Sequence, residues 1–234
     1  MHRIDLFRIS HYHSEDGSPE IVQSELVSKI REFHTSDSSR LTTKLLYGKM
    51  QDGRPAFNFM DLRRLSVHLT IEDEPNIQYL LQNAKLLEEL HLSVVFGHGL
   101  KRLRDALSYS ARTLKVLGLS VSFYDLLGGL CEELEAMTGH NRLEALSFEV
   151  YVKANVAADF IGSSIQKVEK VLVKPGWSSL RQVSIKVLIM HCHGFVTKEG
   201  GEKLFEVLQS LPDKYLSQLS KLDSVAFNYS VRFS

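Results

Sequence analysis

The stretch LKVLGLSV at residues 114–121 is the most informative about the fold, because it is one copy of a phrase that recurs along the chain. The phrase carries leucine or another apolar residue at its first, fourth, sixth and eighth positions. Six copies occur, and they begin at Leu62, Leu87, Leu114, Leu143, Leu180 and Leu222. Their starts are separated by 25, 27, 29, 37 and 42 residues, so the repeat is present but irregular.

Each copy and the stretch that follows it predict different secondary structures. Within a copy the last three apolar positions alternate with polar ones, which is typical of a short, half-buried strand. Between copies the apolar spacing becomes helical. Pro75 is predicted in the first turn of a helix, and Pro212 is predicted to end the last long helix after Leu211. The predicted inward helix faces are Leu100, Leu103 and Leu107; Leu126, Leu127, Leu130, Leu134 and Met137; Phe160, Ile161, Ile165 and Val168; Leu204, Val207, Leu208 and Leu211.

Alternating strands and helices can build either a doubly wound α/β sheet or a solenoid. A doubly wound fold gives no reason for its strand sequence to recur. The repeats therefore favour an irregular α/β solenoid, with short parallel strands on its concave face and helices on its convex face. Residues 62–234 hold the six recognisable repeats, and residues 1–61 are interpreted as irregular N-terminal repeats in which residues 21–30 suit a helix. The whole chain, 1–234, is predicted to form a single domain.

The residues around the phrases resemble the corresponding residues of a known protein family. Residues 80–88 (LLQNAKLLE), 110–117 (SARTLKVL) and 171–177 (VLVKPGW) accompany the repeats. Together with the phrases they resemble leucine-rich-repeat proteins, and in particular the repeat regions of F-box proteins from mushroom-forming fungi (agarics). The resemblance implies a leucine-rich-repeat solenoid that recognises a protein, as the substrate-recognition part of an F-box-type ubiquitin ligase subunit.

Two features depart from the family pattern. The commonest repeat carries Asn or Cys at its ninth position, where this chain has Thr70, Val95, Ser122, Tyr151, Leu188 and Ser230. An unbroken asparagine ladder is therefore excluded, and we expect Thr or Ser hydroxyls, backbone groups or water to satisfy the turns. An F-box usually opens with Leu-Pro-x-Glu, but Leu211-Pro212 is followed by Asp213-Lys214, so no F-box is recognisable.

The composition of the chain argues against several classes of partner and against an oxidising compartment. The 234 residues carry 28 basic and 28 acidic side chains, so no net field favours nucleic acid or an anionic membrane. No apolar run approaches the roughly 18 residues that a membrane helix needs. The two cysteines lie far apart and no signal-peptide pattern opens the chain. A reducing compartment, the cytoplasm or the nucleus, is therefore expected.

No catalytic, metal or cofactor site is predicted. His11 with His13 forms one potential ligand pair, and His191 with His193, on either side of Cys192, forms another. Neither pair has further Cys or His residues at a spacing that would complete a metal site. The nucleophile turn G-x-S-x-G and the glycine-rich phosphate loops are absent from the sequence.

The helix predicted around residues 126–137 carries two groups that could be mistaken for a reactive site. Cys131 lies within its apolar stripe and is expected to be a buried, unreactive thiol. Glu132, Glu133 and Glu135 lie between the inward positions, so we expect them to face solvent rather than to perform acid–base chemistry.

If the strands line a concave face, function lies in the polar positions between their apolar residues. Small side chains in the middle repeats would let bulky groups of a partner approach the sheet, and the flanking charges would orient it. The predicted partner-binding residues are Arg64, His68, Glu89, His91, Ser120, Ser147, Glu149 and Lys186.

Three functions are compatible with this pattern. The leading hypothesis is a non-catalytic scaffold that binds a protein on its concave face, within an F-box-type ligase subunit as the resemblance implies. The second is a stand-alone repeat domain for assembly or recognition, unrelated to ubiquitin. The third is an α/β enzyme with an unrecognised site, which predicts a deep pocket at the carboxyl ends of a doubly wound sheet.

Overall fold

A computed structural model describes residues 28–29, 31–35, 57–69, 74–94, 103–122, 130–153, 156–190 and 198–233. The strands in these ranges are β1 (Ser28–Lys29), β2 (Glu32–Thr35), β3 (Phe57–Asn58), β4 (Arg64–Leu69), β5 (Glu89–Val94), β6 (Val116–Ser122), β7 (Ala145–Lys153), β8 (Gln182–Met190) and β9 (Ala226–Phe233). The helices are α1 (Glu74–Asn83), α2 (Leu103–Leu107), α3 (Cys131–Met137), α4 (Ala158–Leu172), α5 (Lys198–Gln209) and α6 (Leu211–Tyr215), followed by a 3₁₀ turn at Leu219–Lys221.

Seven of these strands form one parallel sheet whose spatial order follows the chain, β2-β4-β5-β6-β7-β8-β9. The strands β1 and β3 form a separate parallel pair. The predicted α/β class with parallel strands is confirmed. A doubly wound sheet reverses its strand order at a switch point, and the seven-stranded sheet has no such reversal.

All six phrase copies contribute a strand, and the sheet aligns the equivalent apolar positions of the first five. In the sixth copy Val183 pairs with Phe227 rather than with Val225, a shift of two residues. Leu117 pairs with Leu90 on one side and with Leu146 on the other. The predicted short strands are observed in β4 and β5, which have 6 residues, but β7 and β8 are longer, with 9 residues each. Beyond the phrase the apolar alternation continues to Val152 and Ile189, which are both fully buried. Their burial favours pairing past the end of the phrase.

The core lies between the sheet and the helices. A single cluster of buried residues joins strand side chains such as Leu117 and Phe148 with helix side chains such as Leu134 and Ile165. Neither element could bury its apolar side alone, so each repeat depends on its neighbours for stability.

Two side chains predicted to face inward from helices are exposed instead. Phe160 is 48% exposed and Val207 is 45% exposed. Their neighbours Ile161 and Leu208 are fully buried. Because successive helical residues are about 100° apart, only one of two adjacent residues can lie at the centre of the buried stripe.

The predictions for Pro75 and Pro212 have different outcomes. Pro75 is the second residue of α1, as the sequence predicts. Pro212 does not end the long helix, because α5 already ends at Gln209 and Pro212 lies in the first turn of α6. Proline is tolerated there because the first-turn N–H groups have no partner within the helix.

The N-terminal strands were not recognised in the sequence. Strand β2 pairs in parallel with β4 and extends the sheet by one strand before the first phrase. It contributes one buried apolar residue, Phe33, which is too few for a detectable alternation. The helix predicted over residues 21–30 is wrong at Ser28–Lys29, which pairs with Phe57–Asn58. Tertiary pairing overrides a weak local pattern there. Residues 1–27 lie outside the described part.

Successive repeats are joined by the same backbone contact just before each strand. The carbonyl oxygen of Lys115 accepts the N–H groups of Glu144 and Ala145, at 2.8 and 3.0 Å. The same double contact recurs at the carbonyl oxygens of Arg31, Arg63, Glu88 and Glu144. The repeats therefore stack equivalently although the chain between them differs in length.

A threonine hydroxyl satisfies part of the turn before β6. The Oγ1 atom of Thr113 lies 2.9 Å from the carbonyl oxygen of Leu87, 3.1 Å from that of Ser110 and 3.2 Å from that of Lys85. A hydroxyl does satisfy turn groups, as expected, but from the residue before the phrase rather than from its ninth position. One side chain thus connects two adjacent repeats.

Replacing Thr113 by valine should lower the free energy of unfolding by about 1 kcal/mol, because the hydroxyl bond is lost while the side-chain volume is kept. Urea denaturation measures this loss. Thr113→Ser should retain most of the stability. Ser108→Ala, which removes an exposed bond within one turn, serves as the control. Equal losses for Thr113→Val and Ser108→Ala would contradict the bridging role.

Candidate functional site

Strand side chains of the seven-stranded sheet alternate between a buried face and a half-exposed face. In β7 the alternation is regular over all 9 residues. We call the half-exposed side the open face. Its side chains fall into rows that run across the strands. The first row is Glu32, Arg64, Glu89, Val116, Ala145, Gln182 and Ala226; the second is His34, Ser66, His91, Gly118, Ser147, Ser184 and Asn228; the third is Ser93, Ser120, Glu149, Lys186 and Ser230.

A depression of about 470 Å³ lies on the open face and crosses five strands, from β4 to β8. The second row forms its floor, which includes small residues such as Gly118 and Ser147. The third row forms one side, with Glu149 and Lys186 at its β7–β8 end. A volume of this size accommodates several side chains of a partner.

Alternating charges line the open face beside the depression. Arg64 on β4 donates to Glu32 on β2 through Nη1 at 3.0 Å, and its Nε lies 3.3 Å from an oxygen of Glu89 on β5. The three side chains are 35–56% exposed. Because water screens such pairs, the row contributes little to stability and presents fixed charges to a partner instead.

The imidazole of His91 covers Gly118 on the adjacent strand. Its Nε2 lies 2.9 Å from Oε1 of Glu89, which holds the ring in place. A Cβ atom built at Gly118 would lie 2.2 Å from Nδ1 of His91 and 3.1 Å from the hydroxyl of Ser147. Glycine at this position therefore allows the ring to lie across β6, where it forms part of the depression.

Glu149 is the centre of a polar cluster at the other end of the depression. Its Oε1 lies 2.5 Å from Nζ of Lys186, and its Oε2 accepts the hydroxyls of Tyr151 at 3.0 Å and Ser120 at 3.3 Å. Partial burial raises the pKa of Glu149, but the hydrogen bonds and the Lys186 charge outweigh it, so the pKa lies below its ordinary value. Burial and the Glu149 carboxylate raise the pKa of Tyr151.

Replacing Lys186 by methionine should raise the pKa of Glu149, because the strongest donor and the neighbouring positive charge are both lost. The stability that ionised Glu149 contributes is present above its ordinary value of 4.5 and is lost as the pH falls through the lower, folded value. The variant should therefore lose that contribution at a higher pH than the wild type.

Carbon-detected NMR of the Glu149 carboxyl group during an acid titration measures this change. The matched control is Lys174→Met, which removes an exposed lysine paired with Glu135 on the helical side. An unchanged pKa of Glu149 in Lys186→Met, or an equal rise in the control, would contradict the cluster.

The structure brings most of the predicted partner-binding residues together. His91, Ser120, Ser147, Glu149 and Lys186 line the depression. Arg64 and Glu89 lie beside it in the first row of the open face. The backbone of His68 pairs with Ser93 in the third row, but its side chain lies outside the described part.

Other residues of the open face were not predicted. Glu32 lies on β2, a strand that the sequence did not reveal. Tyr151 and Lys153 continue the alternation of β7 past the phrase, as Arg232 does in β9. The signal that could have found them is this alternation, followed to the end of each strand rather than to the eighth position of the phrase.

The remaining candidates for chemistry have structural explanations where they are described. Cys131 is buried, as predicted, and burial raises the pKa of its thiol to about 11. Glu132 and Glu135 are exposed, while Glu133 is half-exposed and accepts the backbone N–H of Arg104. The histidine clusters at 11–13 and 191–193 lie outside the described residues. Within the described ranges, no group of three His, Cys, Asp or Glu residues could hold a metal.

Among the helices that the structure describes, none is long and apolar enough to cross a membrane. Comparison of the chain with protein-family models, with curated proteins and with solved structures finds no match.

Proposed function

We propose that this chain is an irregular leucine-rich-repeat solenoid that acts as a non-catalytic recognition module and binds a protein across the open face. One observation carries the proposal. Six copies of the phrase lie on adjacent parallel strands in chain order, the first five in a common register and the last shifted by two residues, and they leave one half-exposed face. In a solenoid of this kind that face is concave and serves extended partners.

The chemistry of the depression supports recognition. Its floor is polar and small, and its charges are already paired within the sheet. Paired and hydrogen-bonded side chains are held in one conformation, so little additional order is lost when a partner binds. Such a surface discriminates partners by charge and shape rather than by a single apolar anchor.

Catalysis is less well supported by the same geometry. Glu89 and His91 on β5 and Ser147 on β7 supply a carboxylate, an imidazole and a hydroxyl on the same face. However, backbone N–H groups of the strands are used by the parallel ladder and are not free to stabilise an oxyanion. The strand order also lacks the reversal at which open α/β sheets bind substrates.

Photo-crosslinking tests the proposal. Benzoylphenylalanine placed at Ser184, in the depression, should form adducts with a protein from extracts of the source cells. A second substitution, Ser147→Trp, should abolish these adducts by filling the depression. The same photo-crosslinker at Ser163, which is exposed on α4, should not form them. Equal adducts at both positions, or adducts that survive Ser147→Trp, would reject the open face as the binding site.

The F-box-type ligase role is a narrower form of this proposal and rests on the resemblance to fungal F-box proteins. Co-purification of a cullin-type ligase adaptor with the native gene product would support it. Failure to recover the adaptor while the Ser184 adducts form would instead favour a stand-alone recognition or assembly domain.

A further inference from the structure

We infer that the open face binds an extended polypeptide segment that is acidic at one end and basic at the other, lying across the strands. This inference rests on the proposed function and specifies the chemistry of the partner. Its evidence is the distribution of charge between the two ends of the open face, together with the neutral floor that joins them.

The β7–β9 end of the open face is positively charged. Lys153, Lys186 and Arg232 lie at outward positions of neighbouring strands. Lys153 and Lys186 are partly buried and Arg232 is exposed. Glu149 is the acidic group among them, and Lys186 already neutralises it. With three basic groups and one acidic group, this end has a net charge of +2 among the described side chains.

The β2–β5 end has the opposite sign. Glu32 and Glu89 lie on either side of Arg64, which contacts both carboxylates. With the histidines counted as neutral, the charges of these described side chains give a net charge of −1. A segment with only basic or only acidic residues would therefore be attracted by one end of the face and repelled by the other.

The floor between the two ends is neutral and carries available hydroxyls. Gly118, Ser147 and Ser184 are consecutive members of the second row. The side-chain hydroxyls of Ser147 and Ser184 form no hydrogen bond with another residue that the structure describes, and both residues line the depression. Such hydroxyls can donate to and accept from the main chain of an extended segment, whatever its side chains are.

Strand spacing sets the separation of the charges on the partner. Glu89 on β5 and Arg232 on β9 are four strand intervals apart, which is about 19 Å at roughly 4.8 Å per interval. Arg232 also lies six residues beyond Ala226, the residue in register with Glu89, which adds about 20 Å along the strands at roughly 3.3 Å per residue. The diagonal between the two side chains is therefore about 28 Å, so the basic and acidic groups of an extended segment should be about eight residues apart.

Three synthetic peptides of equal length test the inference by fluorescence anisotropy. The first carries two Glu and two Lys residues at opposite ends of a Gly-Ser spacer of about eight residues. The second carries Glu at both ends, and the third carries Lys at both ends. We expect the bipolar peptide to bind about tenfold more tightly than either of the others, and to weaken as salt is added. Equal or tighter binding of a single-charge peptide would overturn the inference.

Reversing the charge of the positive end provides a second test of the inference. The double variant Lys153→Glu/Arg232→Glu leaves the Glu149–Lys186 pair intact and changes the charge of this end from +2 to −2. It should bind the Lys peptide more tightly than the bipolar one. Lys167→Glu/Lys203→Glu, on exposed helix positions, gives the same change in net charge and should leave the preference unchanged. Circular dichroism verifies that both variants fold.

The outcomes separate this inference from the function on which it rests. An unchanged peptide preference in the Lys153→Glu/Arg232→Glu variant would overturn the inference. If the bipolar peptide fails to bind while Ser184 still forms blockable adducts, the charge pattern is wrong and the open face remains the recognition site. If the adducts are also absent, both the inference and the proposed function are wrong.

Discussion

Replacing Phe148 by alanine is expected to lower the free energy of unfolding by about 3–5 kcal/mol, which is a large part of the stability of an ordinary domain. Phe148 is 2% exposed and lies in β7, which has a long paired strand on each side. Removing its ring leaves a cavity where sheet and helices meet, and the surrounding repeats can collapse into it only partly.

Phe227 provides the matched comparison, since it occupies the same position of the phrase in the last copy. It lies on β9, the edge of the sheet, and is half-buried. Phe227→Ala should therefore cost less than half as much as Phe148→Ala. Phe148→Leu, which keeps most of the volume, should also be mild. Urea denaturation of the three variants measures the differences, and equal losses for the two alanine variants would contradict the edge position of β9.

Replacing Glu169 by alanine should cost about 3 kcal/mol, although this residue is a charged side chain on a helix. It lies on α4 and is 4% exposed. Its Oε1 accepts the backbone N–H groups of Gln218, at 2.8 Å, and of Leu219, at 3.0 Å. Those groups open the 3₁₀ turn at Leu219–Lys221. Alanine would leave them without an acceptor in a buried setting.

The loss of stability in Glu169→Ala should come with two effects that a change in helix propensity alone would not produce. Hydrogen exchange at the Leu219 amide should accelerate in Glu169→Ala, because that amide loses its acceptor. Glu169→Gln retains a carbonyl oxygen and should recover about half of the stability. Glu206→Ala, at an exposed position on α5, is the control. If Glu169→Ala were no more destabilising than Glu206→Ala, the buried contact would not exist in solution.

The strands and their inward residues were predictable because both signals are local. Alternation with a period of two identifies which side chains of a strand share a face, and the phrase supplies that alternation six times. Leu117, Leu146 and Val183 were assigned inward on this basis, and all are buried. Local pattern failed where it was weak, as at β2, or where two adjacent apolar residues competed for one buried position, as at Phe160 and Ile161.

The candidate site was predictable only as a set of outward positions. The sequence places Glu149 and Lys186 on strands, but their contact joins residues 37 apart and depends on how β7 and β8 align. The same is true of Arg64 and Glu32, which are 32 apart. No local period encodes such a pair, because the register is set by the stacking of whole repeats.

The recurring phrase in the sequence was therefore sufficient to predict the alternation of strand and helix, and the inward and outward sides of each strand. Those properties depend on residues a few positions apart. Only the tertiary structure decided which outward side chains are neighbours, that opposite charges gather at the two ends of the open face, and that Glu169 is buried against the turn at residues 218–219. Those contacts depend on chain segments of unequal length returning to a common register, which no local pattern specifies.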